Sequence, residues 1–418
     1  MELLQKVAIM SEHQTTAFSP STAGALFHAR WAVNAAFFAN GLMIGHWAAK
    51  IPVMVERLGI SEGMLGQLIV VFGLGALFAL IVGAWLVTKY GSVFVIRWTW
   101  LFLSISLILL TLVPSLFGTA LALLWFGMFL GAMDNAMNAN GVAVEVALDR
   151  PVMSSYHGFW SLGGLVGGLS GGAMIVWFGE MGHALIVTGI VLALMFYAWP
   201  RLMSDANMDS DFDAQQEAGA QTKKRKTGIP RSFGLYLLGF AALFSFASEG
   251  TIIDWSALYL RNELDAPLIV SGYAVAAFSF TMALMRFLGD GVRTRFGDRR
   301  TFIVSAAISS VGLFFGGYAD NFYLACFGFF VAGIGMANVV PVLFSAAGKY
   351  PGIRPSVGIA VVTALGYAGL LFIPALVGVV AEYYSIGIVY VGWAIIVLGV
   401  AALGFVLPHI DGNRTKKT

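Results

Sequence analysis

The sequence predicts an all-α integral membrane protein, with twelve transmembrane helices forming two pseudo-symmetric six-helix bundles. Three observations predict it. Of 418 residues, 59% are hydrophobic and only 11% charged, with a mean hydropathy of +0.83; soluble domains run at roughly 45–50% apolar and about 25% charged. Twelve stretches are apolar over the length of about 20 residues that a bilayer crossing requires. The two halves of the chain also repeat one another at matching positions.

Residues 1–25 read as a polar extension without a signal core, because the apolar run after Lys6 reaches only from Val7 to Met10. Walking between charges and turn residues places the first six spans at 31–49, 63–88, 95–113, 118–145, 152–178 and 183–200. The second six fall at 233–260, 267–291, 301–319, 321–348, 355–381 and 383–407. The bundles therefore cover 26–200 and 232–408. Between them, 201–231 is acidic first (Asp205, Asp209, Asp211, Asp213, Glu217) and basic afterwards (Lys223, Lys224, Arg225, Lys226), as expected of a solvated linker. Residues 409–418 form a polar tail.

Lysine and arginine placement sets the orientation. With both termini cytoplasmic, 20 of the 24 basic residues lie on that side; Lys50, Arg57 and Arg261 lie opposite and Arg286 lies within a span. The expected setting is a bacterial inner membrane. A formal charge of +2 advertises no nucleic-acid partner. The single cysteine, Cys326, excludes an intramolecular disulfide and multi-cysteine metal sites, and no cofactor is implied.

The repeat is local but doubly placed. Trp47-Ala48-Ala49 returns as Trp255-Ser256-Ala257 at the outer end of the first helix of each half. Thr88-Lys89-Tyr90-Gly91 returns as Thr294-Arg295-Phe296-Gly297 in the second-to-third helix loop. Tandem six-helix repeats are a transporter signature, in which rocking of one bundle against the other gives alternating access.

This arrangement resembles the major facilitator superfamily, whose loop signature Gly-x-x-x-Asp-Arg-x-Gly-Arg-Arg survives in part. Ala84, Thr88, Lys89 and Gly91 stand in the first copy, and Asp290, Thr294, Arg295, Gly297, Arg299 and Arg300 in the second. Within it, the chain is similar to the fucose-permease-like branch and its bacterial inner-membrane members. The likeness is carried by Asp134-Asn135-Ala136-Met137-Asn138, Val142-Ala143-Val144-Glu145, His157-Gly158-Phe159-Trp160-Ser161-Leu162-Gly163, Glu249-Gly250, Asp254-Trp255 and Gly335-Met336-Ala337-Asn338 before Pro341. In that branch a carboxylate followed four positions later by asparagine is implicated in proton coupling and sugar binding, and Asp134 and Asn138 match that pattern. The branch's other coupling acid falls at Ala48, four residues before Pro52, with His46 and Asn40 the nearest polar substitutes.

Ionisable groups inside a membrane are functional candidates by default, because each costs about 2.5–3.5 kcal/mol at the bilayer centre on insertion scales. Asp134 and Glu249 lie mid-span and are the expected proton carriers. Asn138 shares the face of Asp134; with Asn40, His46, Asn135, Trp160, Trp255 and Asn338 it makes the expected substrate-binding set. The same polar groups also suit a structural cluster gluing helices, and the tryptophans suit interfacial anchors. Asp254 lies nearer the outer end of its helix, turned about 140° from Glu249, and is expected to pair with Arg261 or cap a neighbour. Two further ion pairs, Arg286–Asp290 and Glu145–Arg150, are expected to act as conformational latches, with His157, Asp254 and Arg295 as further gating residues. Paired glycines at 163–164, 167–168 and 171–172 read as a sliding contact between helices.

No nucleotide-binding domain accompanies the spans, so a gradient must drive transport. One charge crossing 100 mV supplies about 2.3 kcal/mol, against about 1.4 kcal/mol for a tenfold solute gradient. The leading expectation is thus a monomeric, proton-coupled permease for a small polar solute, such as a sugar or related metabolite. The alternatives are an exporter of amphipathic compounds on the same fold and a transporter-like ligand sensor; sodium coupling and facilitated diffusion also stay open. An intramembrane enzyme is disfavoured, since no aspartate-rich metal motif or surface histidine–aspartate pair is present.

Overall fold

A computed structural model of the chain describes residues 20–204, 232–407 and 410. The linker segment 205–231, most of the N-terminal extension and the tail beyond 410 lie outside the described residues. The helices are α1 (Pro20–Leu58), α2 (Glu62–Tyr90), α3 (Ser92–Ser104), α4 (Ser106–Leu112), α5 (Leu116–Leu148), α6 (Met153–Ala198), α7 (Phe233–Asn262), α8 (Tyr273–Phe296), α9 (Asp298–Gly317), α10 (Phe322–Gly348), α11 (Pro355–Tyr383) and α12 (Ile386–Val406). Among the described residues ten helical stretches are long and apolar enough to cross a membrane. One of them, α6, is interrupted at Gly179 (φ 71°, ψ 170°) and holds two crossings. With α1, a 39-residue helix outside that set, the described residues make twelve passes, α3 and α4 together forming the third.

Short polar residues start several of these helices. Ser61, Ser115, Asn321 and Ser385 each accept an N–H from the first turn of α2, α5, α10 and α12, satisfying donors that a helix leaves open. The first helix runs well past the span 31–49 that its flanking charges suggested. Lys50 does not end it because the ammonium is buried and held 2.7 Å from Glu180, which also binds Arg57 at 2.7 Å. Arg57 in turn donates to the carbonyls of Leu110 and Thr111 at the end of α4.

The two halves pack alike. The leading segment of α6 lies on α1 as α11 lies on α7, α5 lies on α2 as α10 lies on α8, and the trailing segment of α6 lies on α3 and α4 as α12 lies on α9. The repeated loop has the same backbone in both copies, with Gly91 at φ 79°, ψ 156° and Gly297 at φ 82°, ψ 157°. That left-handed conformation strains any residue with a Cβ, which explains why glycine is the fixed point of the repeat. Trp47 and Trp255, the other repeated pair, are both fully buried.

The halves meet along three seams, α1 with α7, α2 with α11, and α6 with α8. The doubled glycines of α6 divide between two neighbours. Gly163, Gly167 and Gly171 face α1 within their own half, whereas Gly164, Gly168 and Gly172 face Ser279, Gly272 and the turn at Leu268 in the other. A Cβ at Gly168 would lie 2.7 Å from the Gly272 carbonyl oxygen. One stripe therefore belongs to a bundle core and the other to the seam between the halves.

Candidate functional site

The middle of the bundle holds a polar chain that crosses from one half to the other. Glu249 of α7 lies 3.5 Å from Arg286 of α8. Arg286 reaches out of its half to donate to the Ser161 hydroxyl at 2.6 Å and to the His157 carbonyl at 3.4 Å, both on α6. Its guanidinium carbon stands 5.8 Å from the centre of the Trp160 ring, within the range of cation–π attraction. Trp160 donates to Asn40 of α1 at 2.9 Å, and Asn40 donates to the carbonyl of Leu130 on α5 at 3.2 Å. Leu130 is one helical turn before Asp134.

Asp134 is half-buried and its side chain accepts from Asn138 at 3.4 Å. Asn138 makes its shorter bond, 2.8 Å, to the backbone carbonyl of Asp134. Tyr367 of α11, in the other half, lies within electrostatic reach of Asp134. The i, i+4 spacing thus puts both polar groups on one face, toward the interior. Glu249 and Arg286 keep 13% and 18% of their side chains exposed, so the site is reachable.

Several expected partners differ. Arg286 lies about ten residues, roughly 15 Å, inside the end of α8, and pairs with Glu249 in the central site; the side chain of Asp290 lies outside the described ones. Glu145 accepts the N–H groups of Val152 and Met153 at 2.6 and 2.8 Å. It caps α6, where donors are unsatisfied, and no ion pair with Arg150 forms among the described residues. Asp254 accepts from Trp47 of the other half at 3.1 Å, while Arg261 donates to the Ala266 carbonyl. In the signature loop the ion pair is Arg293–Asp298 at 2.8 Å; Arg295 is exposed and stacks over Phe296.

Not every polar candidate faces the centre in this conformation. His46 pairs with His183 of α6 at 3.0 Å inside the first half. Asn135 points to the Leu80 carbonyl of α2, at 3.5 Å. Asn338 is buried against Gly289 between α10 and α8, and Trp255 is packed away. A cavity of about 20 Å³ beside Asp254, lined by Gly250, Thr251, Trp255, Gly369 and Leu370, has room for one water.

Opposite the chain termini, the halves are latched. The Ser61 hydroxyl and the Gly63 N–H of the first half both donate to Glu382 of α11 at 2.9 Å. Below them Gly66 packs against Gly378 and the Pro374 carbonyl. Sequence reasoning missed Ser161, Tyr367 and Glu382. Glu382 had a signal, being an acid at the end of a span, whereas a serine and a tyrosine within membrane helices carry none.

Comparison with known proteins agrees with this architecture. The sequence profile of the Major Facilitator Superfamily matches residues 32–259 and 237–417. The chain is 31% identical over 367 residues to an uncharacterised MFS-type transporter of Yersinia pestis, covering 88% of this chain and 92% of that one. It is 27% identical over 358 residues to membrane protein MosC of Rhizobium meliloti, covering 84% and 83%. Among solved structures it is similar to the nucleoside transporter NupG, with a TM-score of 0.67, 13% identity and coverage of 91% and 98%. It is also similar to a bacterial homologue of the human lysosomal transporter Spinster in an inward-facing and occupied conformation, with a TM-score of 0.68, 14% identity and coverage of 94% and 97%. The chain belongs to the Major Facilitator Superfamily. It is a multi-pass membrane transporter and not an enzyme.

Proposed function

We propose that this protein moves a small polar solute across a bacterial inner membrane by proton-coupled alternating access, with both termini cytoplasmic. The observation that carries this reading is the chain from Glu249 through Arg286 to Ser161, because it sets an ion pair of the second half against polar groups of the first in the middle of the bundle. A solute bound there touches both bundles, and both must rearrange to release it. Asp134 and Glu249 are the coupling acids. Among the described residues the side chain of Asp134 is bonded to the amide of its own helix and forms no ion pair, so the proton is its natural counter-charge when no solute is bound.

The conformation supports the same reading. Glu382 and Asp254 bridge the halves at the face opposite the termini, so with cytoplasmic termini the periplasmic side is shut. An aromatic, apolar cavity would favour export of amphipathic compounds; the polar central chain favours a polar solute. The test is a thermal-shift screen of sugars and related metabolites on the purified protein, followed by proton flux in proteoliposomes with each hit. Transport reading and coupling are upheld by a solute-dependent proton influx. A hit that crosses without moving protons contradicts the coupling, and a hit that never crosses contradicts transport.

A further inference from the structure

We propose that the solute is an organic carboxylate, and that its carboxyl group takes Arg286 by displacing Glu249. The inference rests on the transport reading and names its substrate class. Four ion pairs join the described residues, and three of them close to 2.7–2.8 Å while Arg286–Glu249 stands at 3.5 Å. Charge-assisted bonds of full strength run at about 2.7–2.9 Å. Arg286 is therefore anchored by Ser161 at 2.6 Å and only loosely satisfied by its carboxylate. A guanidinium offers five donors in a planar fork that fits a carboxylate through two parallel bonds. Its bonds to Ser161, the His157 carbonyl and Glu249 use three of the five donors and leave part of that fork to a better-placed acceptor, and both charged side chains reach the accessible space.

The displacement gives Glu249 its part in coupling, beside that of Asp134. A carboxylate arriving on Arg286 leaves Glu249 as an unpaired anion in a low-dielectric site, which is costly unless it is neutralised. Glu249 takes up a proton, the guanidinium keeps its charge, and the solute carboxylate replaces the Glu249 carboxylate as its counter-ion. One anion and one proton thus enter together, with no net charge added. A neutral sugar cannot replace a carboxylate on Arg286, so it has no means of driving this exchange. Arg286 also holds α6 of the other half through Ser161 and His157, so the same event acts on the seam that must move.

The test measures binding to the full-length protein by thermal shift, using D-gluconate and D-glucuronate against D-glucitol and D-glucose, which lack the carboxylate, and glucose 6-phosphate as a second anion. The acids are expected to bind and the neutral congeners to bind at least tenfold more weakly; tighter binding of the phosphate ester reassigns the anion and overturns the carboxylate. Arg286→Gln should lose the preference for acids, with Arg286→Lys recovering part of it. Glu249→Gln should tighten acid binding several-fold at neutral pH and flatten its pH dependence, a result that a merely structural glutamate would not give. Equal binding of acids and neutral congeners, or no binding of either acid, overturns the proposal. Uphill uptake of a neutral congener alone overturns it while the transport reading stands; acid binding without uptake in proteoliposomes upholds the anion site and overturns transport.

Discussion

Lys50, Glu180 and Asp134 show how differently a membrane helix handles charge. Lys50 has no exposed surface and depends on Glu180, so removing the acid strands a buried ammonium, a loss of about 3–5 kcal/mol. Glu180→Gln is expected to lower the melting temperature strongly, and Lys50→Met in the same chain to restore much of it. Asp134 has no cation partner among the described residues, and Asp134→Asn should retain the fold and solute exchange but abolish uphill transport, read as counterflow against gradient-driven uptake in proteoliposomes. Wild-type uphill uptake in that variant removes Asp134 from the coupling scheme. At this scale the interior placement of Asp134 and Glu249 was readable, because an acid set alone in an apolar run carries an insertion cost that only an interior, polar setting relieves. Partner choice was not readable. Arg286 prefers Glu249 and Ser161, and Asp254 prefers Trp47, through contacts more than 30 residues apart in the chain that no local spacing encodes.

At the level of elements, α6 separates two kinds of helix contact that look identical in sequence. Gly167 faces α1, where a Cβ would lie 2.7 Å from the Leu42 carbonyl, and Gly168 faces the other half at Gly272. Gly167→Leu is expected to destabilise the protein by about 1–3 kcal/mol through overpacking within one bundle, measured as a lowered melting temperature. Gly168→Leu should instead spread the halves. A cysteine at Leu370, introduced with Cys326→Ser, is then expected to label faster with a membrane-impermeant thiol reagent, and an unchanged rate would place that stripe outside the moving seam. The period-four glycines were evident from sequence, but which stripe served which neighbour required the packing. The length of α1 was also hidden, since charges that end a span in isolation can be paired inside a bundle.

Over the whole molecule, the repeat at Trp47/Trp255 and Gly91/Gly297 foretold two related bundles, and the shared loop backbone explains why those short segments kept their likeness. The overall fold was legible because hydropathy and length dictate membrane helices directly. The direction in which the molecule is closed was not, because Glu382 with Ser61 and Asp254 with Trp47 join residues more than 200 positions apart that no local pattern pairs. These contacts should break together if the halves move as rigid bodies about the central site. The most direct measurement is a pair of spin-label distances in the Cys326→Ser protein. One pair joins Phe117 and Tyr383 across the latched face, and the other joins Trp85 and Phe296 near the face of the termini, all four side chains being exposed. The account predicts two populations in each pair that change in opposite senses between acid and neutral buffer, with Gly168→Leu enlarging the longer distance at the latched face. A single distance in each pair, indifferent to pH and to that substitution, would contradict it.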